Sequence, residues 1–86
     1  MQEAIAWGQF DTWCRVNGRC ALPASPETVA GWITALADGT DGGEPRARAT
    51  ISLYLSAITT AQRTAGFEFD RSNAVLAATW RGISRV

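Results

Sequence analysis

The sequence predicts an all-α fold, a compact bundle of four helices in one small domain. Three observations predict it. Apolar residues recur at helical spacing in four separate segments of the 86-residue chain. Capping residues or glycine stops bound those segments. No stretch alternates in the manner of a strand, and no internal repeat is present, which leaves a helical bundle as the favoured architecture.

The first helix is expected over about residues 2–16, with Ala6, Phe10, Trp13 and Cys14 on one side and Asn17–Gly18 as its stop. RCALPAS, residues 19–25, reads as a loop. Ser25 followed by Pro26 and Glu27 is a helix start: a hydroxyl cap, a proline at the first helical position and an acid against the dipole. The second helix, about 26–37, buries Val29, Ile33 and Leu36 with Trp32 alongside, and Asp38–Gly39 end it. GTDGGEP, residues 39–45, is expected to be the most flexible stretch.

The third helix, about 47–65, carries a buried stripe of Ile51, Tyr54, Leu55, Ile58, Ala61 and Ala65, closed by Gly66. Between those residues lie Thr50, Ser52, Ser56, Thr59, Thr60 and Arg63, mostly small hydroxyl side chains. Phe67 and Phe69 cross to a fourth helix, about 72–84, capped by Asp70 or Ser72 and carrying Ala74, Val75, Leu76, Ala78, Trp80 and Ile83. Trp13, Trp32, Ile58 and Trp80 are read as core.

Composition narrows the function. The chain is 47% apolar, and a chain of this length buries about 60–65% of its unfolded surface, so the four tryptophans and three phenylalanines matter to its core. No apolar run approaches the ~20 residues of a membrane span and no signal-peptide pattern opens the chain, so a soluble, cytoplasmic domain is expected, with no membrane partner. Eight basic residues balance eight acidic ones, which argues against strong general attraction to nucleic acid. All eight basic residues are arginines, suited to bidentate phosphate contact, although codon usage in a GC-rich genome produces the same bias.

Nothing in the residues builds an enzyme site. There is no histidine, the acids are scattered singly, and Tyr54 and Cys14 lack activating partners. Two cysteines without histidine leave a tetrahedral metal site short of ligands. Cys14 reads as a small buried hydrophobe and Cys20 as a loop residue. The glycines at 39–43 lack both the lysine and the preceding strand of a phosphate-binding loop. No catalytic residue, metal or cofactor is expected in this chain.

Four segments, in order, resemble one family. FDTWCRVNGR (10–19) is similar to the close of its first DNA-facing helix. LPASPETVAGWITALADG (22–39) is similar to its P-A-x-P-E-x-V helix. ATISLYLSAITTAQRTAGF (49–67) is similar to its T-I-x-x-x-L-S-A-I helix, with Gln62 where histidine is common. SNAVLAATWRGISR (72–85) is similar to its closing R-G-I-R-R helix. Each piece is partly a general amphipathic pattern, and the four in collinear order carry the resemblance. The chain resembles the N-terminal core-binding domain, a SAM-like orthogonal bundle, of Cre-like tyrosine recombinases, the phage-integrase group.

The resemblance implies half of a C-shaped clamp on double-stranded DNA. The other half is a catalytic domain with an arginine–histidine–arginine–tyrosine constellation, expected after Val86. It implies that the first and third helices enter the major groove. The face of Thr50, Leu53 and Ser56, with Ser52 beside it, then lies against base edges and phosphates. Gln9 is the polar contact on the first helix. Arg46 and Arg48 reach phosphate, while Arg63, Arg81 and Arg85 grip the backbone further out or meet the catalytic domain. Protomers of the family also touch through this domain when assembling on DNA, so a homo-oligomer on DNA is a further expectation.

Plainer readings stay open beside these. Thr50, Ser52 and Ser56 also suit a wet helix face, Arg46 and Arg48 solvated loop charges, and Arg81 and Arg85 a helix C-terminus. Ala49, Leu53 and Ala57 stand where the family carries lysine, arginine or glutamine, and Glu3 and Asp11 accompany Gln2, Gln9 and Arg15 on the first helix. The alternative function is therefore a non-catalytic protein-interaction bundle of the same fold. Arginines converging on the face shared by the first and third helices favour DNA. Scattered arginines with an exposed apolar patch favour a protein.

Overall fold

The computed structural model describes residues 2–40, 42–70 and 73–84, with side chains from residue 5 to 83 within those ranges. Four helices form in the order α1 (Gln2–Val16), α2 (Pro26–Asp38), α3 (Arg48–Thr64) and α4 (Ala74–Ser84), and no described residue is in a strand. The molecule measures 34 × 26 × 26 Å. α1 packs chiefly on α3 and α2 chiefly on α4, with an α2–α3 contact joining the two pairs.

Local chemistry sets most of the ends. Past α1, Gly18 takes φ 66° and the Arg19 N–H returns to the Cys14 carbonyl at 2.7 Å. That backbone conformation strains any residue with a Cβ. Ser25 caps α2, its Oγ accepting from the Thr28 N–H at 3.1 Å. The glycine-rich loop after α2 is tied back to the helix: the Arg46 N–H donates to the Leu36 carbonyl at 2.9 Å. A Cβ on Gly39 would meet Pro45 at 2.8 Å, so glycine is needed there for space as well as for its φ of 75°. α4 corrects the sequence reading. Its cap is Asn73, whose Oδ1 accepts from the Val75 N–H at 2.9 Å. The Asp70 carbonyl accepts from the Asn73 N–H at 3.2 Å, and Ser72 lies outside the described residues.

Phe10, Trp32, Ile33, Leu36, Ile51, Ile58 and Leu76 are fully buried. Aromatic rings run through this core from α1 to α3. Trp7 meets Phe10 edge-on, Phe10 tilts against Trp32 at 5.0 Å, and Trp32 stacks on Tyr54 at 6.0 Å. Trp13 and Trp80 are not core; both are half-buried at the rim. Trp13 closes over Gly31, where a Cβ would stand 3.2 Å from its ring. Ala65 at the end of the α3 stripe is exposed, because the helix stops at Thr64 and the chain turns away.

Gln62 was not foreseen as core and is 1% exposed. Its Oε1 accepts from the Ala24 N–H at 3.1 Å, and its amide Nε2 donates to the Ala21 carbonyl at 2.7 Å. Both ends of the buried amide are thereby satisfied, as burial of a polar group requires. The loop that presents the α2 cap is pinned from α3.

Candidate nucleic-acid interface

The expected contact residues fall into four places. Leu53 stands at the centre of the open face of α3, 54% exposed, with Ser56 half-buried beside it and Thr60 exposed one further turn along. Thr50 and Ser52 do not share a face. At ~100° per residue they project about 160° apart around the helix, on opposite flanks of Leu53. Both are half-buried. Ala57, expected on the open face, is buried instead. Trp7 from α1 and Leu22 from the following loop share its groove.

The seam between α3 and α4 brings together Arg48, Ser52, Trp80 and Arg81. The Arg48 Cζ lies 4.8 Å from the centroid of the Trp80 ring. Ser52, Trp80 and Arg81 line a cleft of about 280 Å³ floored by Leu55 and Leu76. No described carboxylate comes within 4.0 Å of Arg48 or Arg81, so both charges are uncompensated at short range.

Gln9 and Arg46 lie elsewhere, both lining a groove of about 1020 Å³ between α1, α2 and the 40–46 loop. The Gln9 Oε1 is buried there without a hydrogen-bond partner. The Arg46 guanidinium folds onto its own loop, donating to the Glu44 carbonyl at 2.8 Å. Arg63 is exposed near the far end of α3, beside Glu68 and Asp70. Arg85 and the side chains of Gln2 and Glu3 lie outside the described residues. Asp11 is paired with Arg15 at 2.8 Å, one helical turn on, which neutralises the acid that would oppose phosphate on α1.

The described arginines do not converge on the face shared by α1 and α3. The groove between those helices is lined by Trp7, Leu22, Ala57, Thr60, Ala61 and Thr64, together with Ala65. Periodicity could not have shown this, because the groove depends on which loop residue covers which helix. The start of α3 is different in character. Its cap residue Ala47 provides no side-chain hydrogen bond, and its first turn contains no acid but does contain Arg48. Its unpaired N–H groups, the positive end of the dipole and a guanidinium thus coincide.

Nucleophilic chemistry finds no support at the cysteines. Burial first, and then Asp11, push the Cys14 thiol up to about 11, so it stays protonated and inert at neutral pH. Cys20 is an exposed free thiol whose Sγ lies 3.4 Å from the Leu22 carbonyl. Among the described residues no group of three histidine, cysteine, aspartate or glutamate side chains could hold a metal ion. No helix is long and apolar enough to cross a membrane, again among the described residues.

The class defined so far is a small all-helical module with an electropositive helix start and a two-arginine seam. Comparison with known proteins adds a relative. An integrase/recombinase, a xerD homolog from Selenomonas ruminantium, is 38% identical over 64 residues, covering 74% of this chain and 17% of that protein. The chain is distantly homologous to it and spans about a sixth of its length. No family model matches the chain, and no solved structure does.

Proposed function

We propose that the chain is the DNA-binding core-binding domain of a site-specific tyrosine recombinase, half of a clamp closed by a separate catalytic domain. The observation that carries this reading is the 38% identity to an integrase/recombinase over 64 residues. The electropositive start of α3 and the unpaired Arg48 and Arg81 support it locally. In this reading Arg48 and Arg81 hold backbone phosphates and Leu53, Ser56 and Thr60 face the major groove. Thr50 and Ser52 flank that face, and Arg63 and Arg85 grip the backbone further along. Gln9 and Arg46 form a separate patch on the α2 side of α1. Strand exchange itself belongs to the catalytic domain, protomers assemble on the DNA, and the work is intracellular.

Fluorescence-anisotropy titration against a random duplex, at low and near-physiological salt, tests the proposal. The expected isotherm weakens as salt rises, with log affinity falling by about 0.9 per phosphate contacted for each unit of log salt. Absence of binding even at low salt overturns autonomous DNA binding by this chain. One observation favours a second reading, a protein-interaction surface. The α1–α3 groove is apolar and free of arginine, with Leu22 41% exposed at its edge. A salt-insensitive partner complex lost on Leu22→Ser would favour it.

A further inference from the structure

We infer that Trp80 is a positioning residue for Arg48, holding its guanidinium ready for one backbone phosphate of duplex DNA. The inference rests on the DNA reading above. A free arginine side chain samples many rotamers, and ordering it on a phosphate costs binding energy. The Arg48 Cζ is 4.8 Å from the Trp80 ring centroid, well inside the ~6 Å over which a cation is held on an aromatic face.

What holds the arginine decides what it can still do. A carboxylate would order the guanidinium but cancel its charge and occupy its donors, as Asp11 does for Arg15. A backbone carbonyl takes at least one donor, as the Glu44 carbonyl does for Arg46. An aromatic face is different: it engages the flat side of the ion, while the five N–H donors point outward in its plane. Among the described arginines Arg48 is the one whose guanidinium carbon lies over an aromatic ring, 4.8 Å from the Trp80 centroid.

Trp80 is itself fixed. It is half-buried, packs against the core and lines the seam with Leu55 and Leu76. The pairing spans 32 positions of sequence and ties the first turn of α3 to α4. It also offsets the repulsion between a cation and the positive end of the α3 dipole, which would otherwise drive the side chain away.

A double-mutant cycle read by anisotropy on a fluorescein-labelled random duplex tests the assignment. Arg48→Ala is expected to reduce the salt slope by about 0.9, the loss of one phosphate. Trp80→Leu is expected to weaken binding about two- to fivefold, and Trp80→Phe, which keeps an aromatic face, to retain most of it. In the Arg48→Ala background, Trp80→Leu should cost nothing further. An equal loss in both backgrounds overturns the inference, because Trp80 then acts through packing alone.

If Trp80→Leu does not fold, Trp80→Phe and nitrogen-15 relaxation of the arginine Nε groups in the unmodified chain decide. Arg48 should be more ordered than exposed Arg63; equal disorder overturns the assignment. Failure of every chain to bind duplex removes the DNA reading and this inference with it. Binding with additive losses removes the inference alone.

Discussion

Ser25 and Ala47 sit in nearly the same backbone conformation, φ −78°, ψ 156° and φ −68°, ψ 152°, each one residue before a helix. The two helix starts are otherwise built in opposite ways. α2 has a hydroxyl cap bonded to Thr28, a proline at its first position and an acid in its first turn. α3 has alanine at the cap, arginine at the first position and no acid in the turn. At α2 the cap and proline satisfy or remove free N–H groups and the acid opposes the dipole; at α3 the alanine leaves the N–H groups exposed and the arginine adds positive charge. The backbone permits a cap at both places, so geometry does not explain the difference. A helix held by Ile51, Leu55 and Ile58 in the core can tolerate a poor start, and local rules are most often broken where function needs it. The recombinase reading assigns a phosphate to that start.

The largest expected effect probes what lies behind the well-built start. Gln62 pins Ala21 and Ala24, and through them the Ser25 cap, from the last turn of α3. Gln62→Leu keeps the bulk but leaves the buried Ala24 N–H unpaired. It should destabilise the fold by about 2 kcal/mol in a urea titration. A cost no greater than that of removing the Ser25 cap would mean that α2 fixes its own start without help from α3.

Ser25→Ala comes next. It removes the hydrogen bond to the Thr28 N–H and should cost about 1 kcal/mol. That is a fall of roughly 4–8 °C in Tm for a domain of this size. The matching change at the other helix, Ala47→Gly, should move Tm very little, because no cap interaction exists there to lose. Comparable losses at the two positions would erase the distinction between them.

The contrast also marks how far the sequence could be read. The start of α2 and the stops of α1 and α2 are legible because they are made within a few residues: Ser25 before Pro26, and Gly18 and Gly39 with positive φ. The α4 cap was missed because Asp70, Ser72 and Asn73 are all capping residue types in a short run, and only the fold selects among them. Gln62 had a usable signal. It follows Ile58 by four and Leu55 by seven, in phase with the buried stripe. Ala57 had none, since alanine fits either face and its burial depends on Trp7 and Leu22 arriving from elsewhere. The Arg48–Trp80 pair, 32 residues apart, is a product of helix packing that periodicity within one helix does not encode. Chain patterning therefore indicated the helices and their boundaries, while the seam and the pinned loop came from how the helices meet.

The smallest change is the sharpest test, because stability and binding should move in opposite directions. Ala47 already has the extended conformation of an N-cap, so Ala47→Ser and Ala47→Asp can each bond the free N–H groups of the first α3 turn without moving the backbone. Both should stabilise the domain by about 0.5–1 kcal/mol in chemical denaturation. Aspartate adds a negative charge beside Arg48 and the positive end of the dipole, and serine adds none. If the start of α3 is kept electropositive for phosphate, Ala47→Asp should weaken duplex binding several-fold at low salt while Ala47→Ser changes it little. If neither substitution affects binding, the poor cap is merely tolerated and the phosphate sites must be sought along the seam or beyond it. If serine weakens binding as much as aspartate, the N–H groups themselves, rather than the local charge, are what the phosphate contacts.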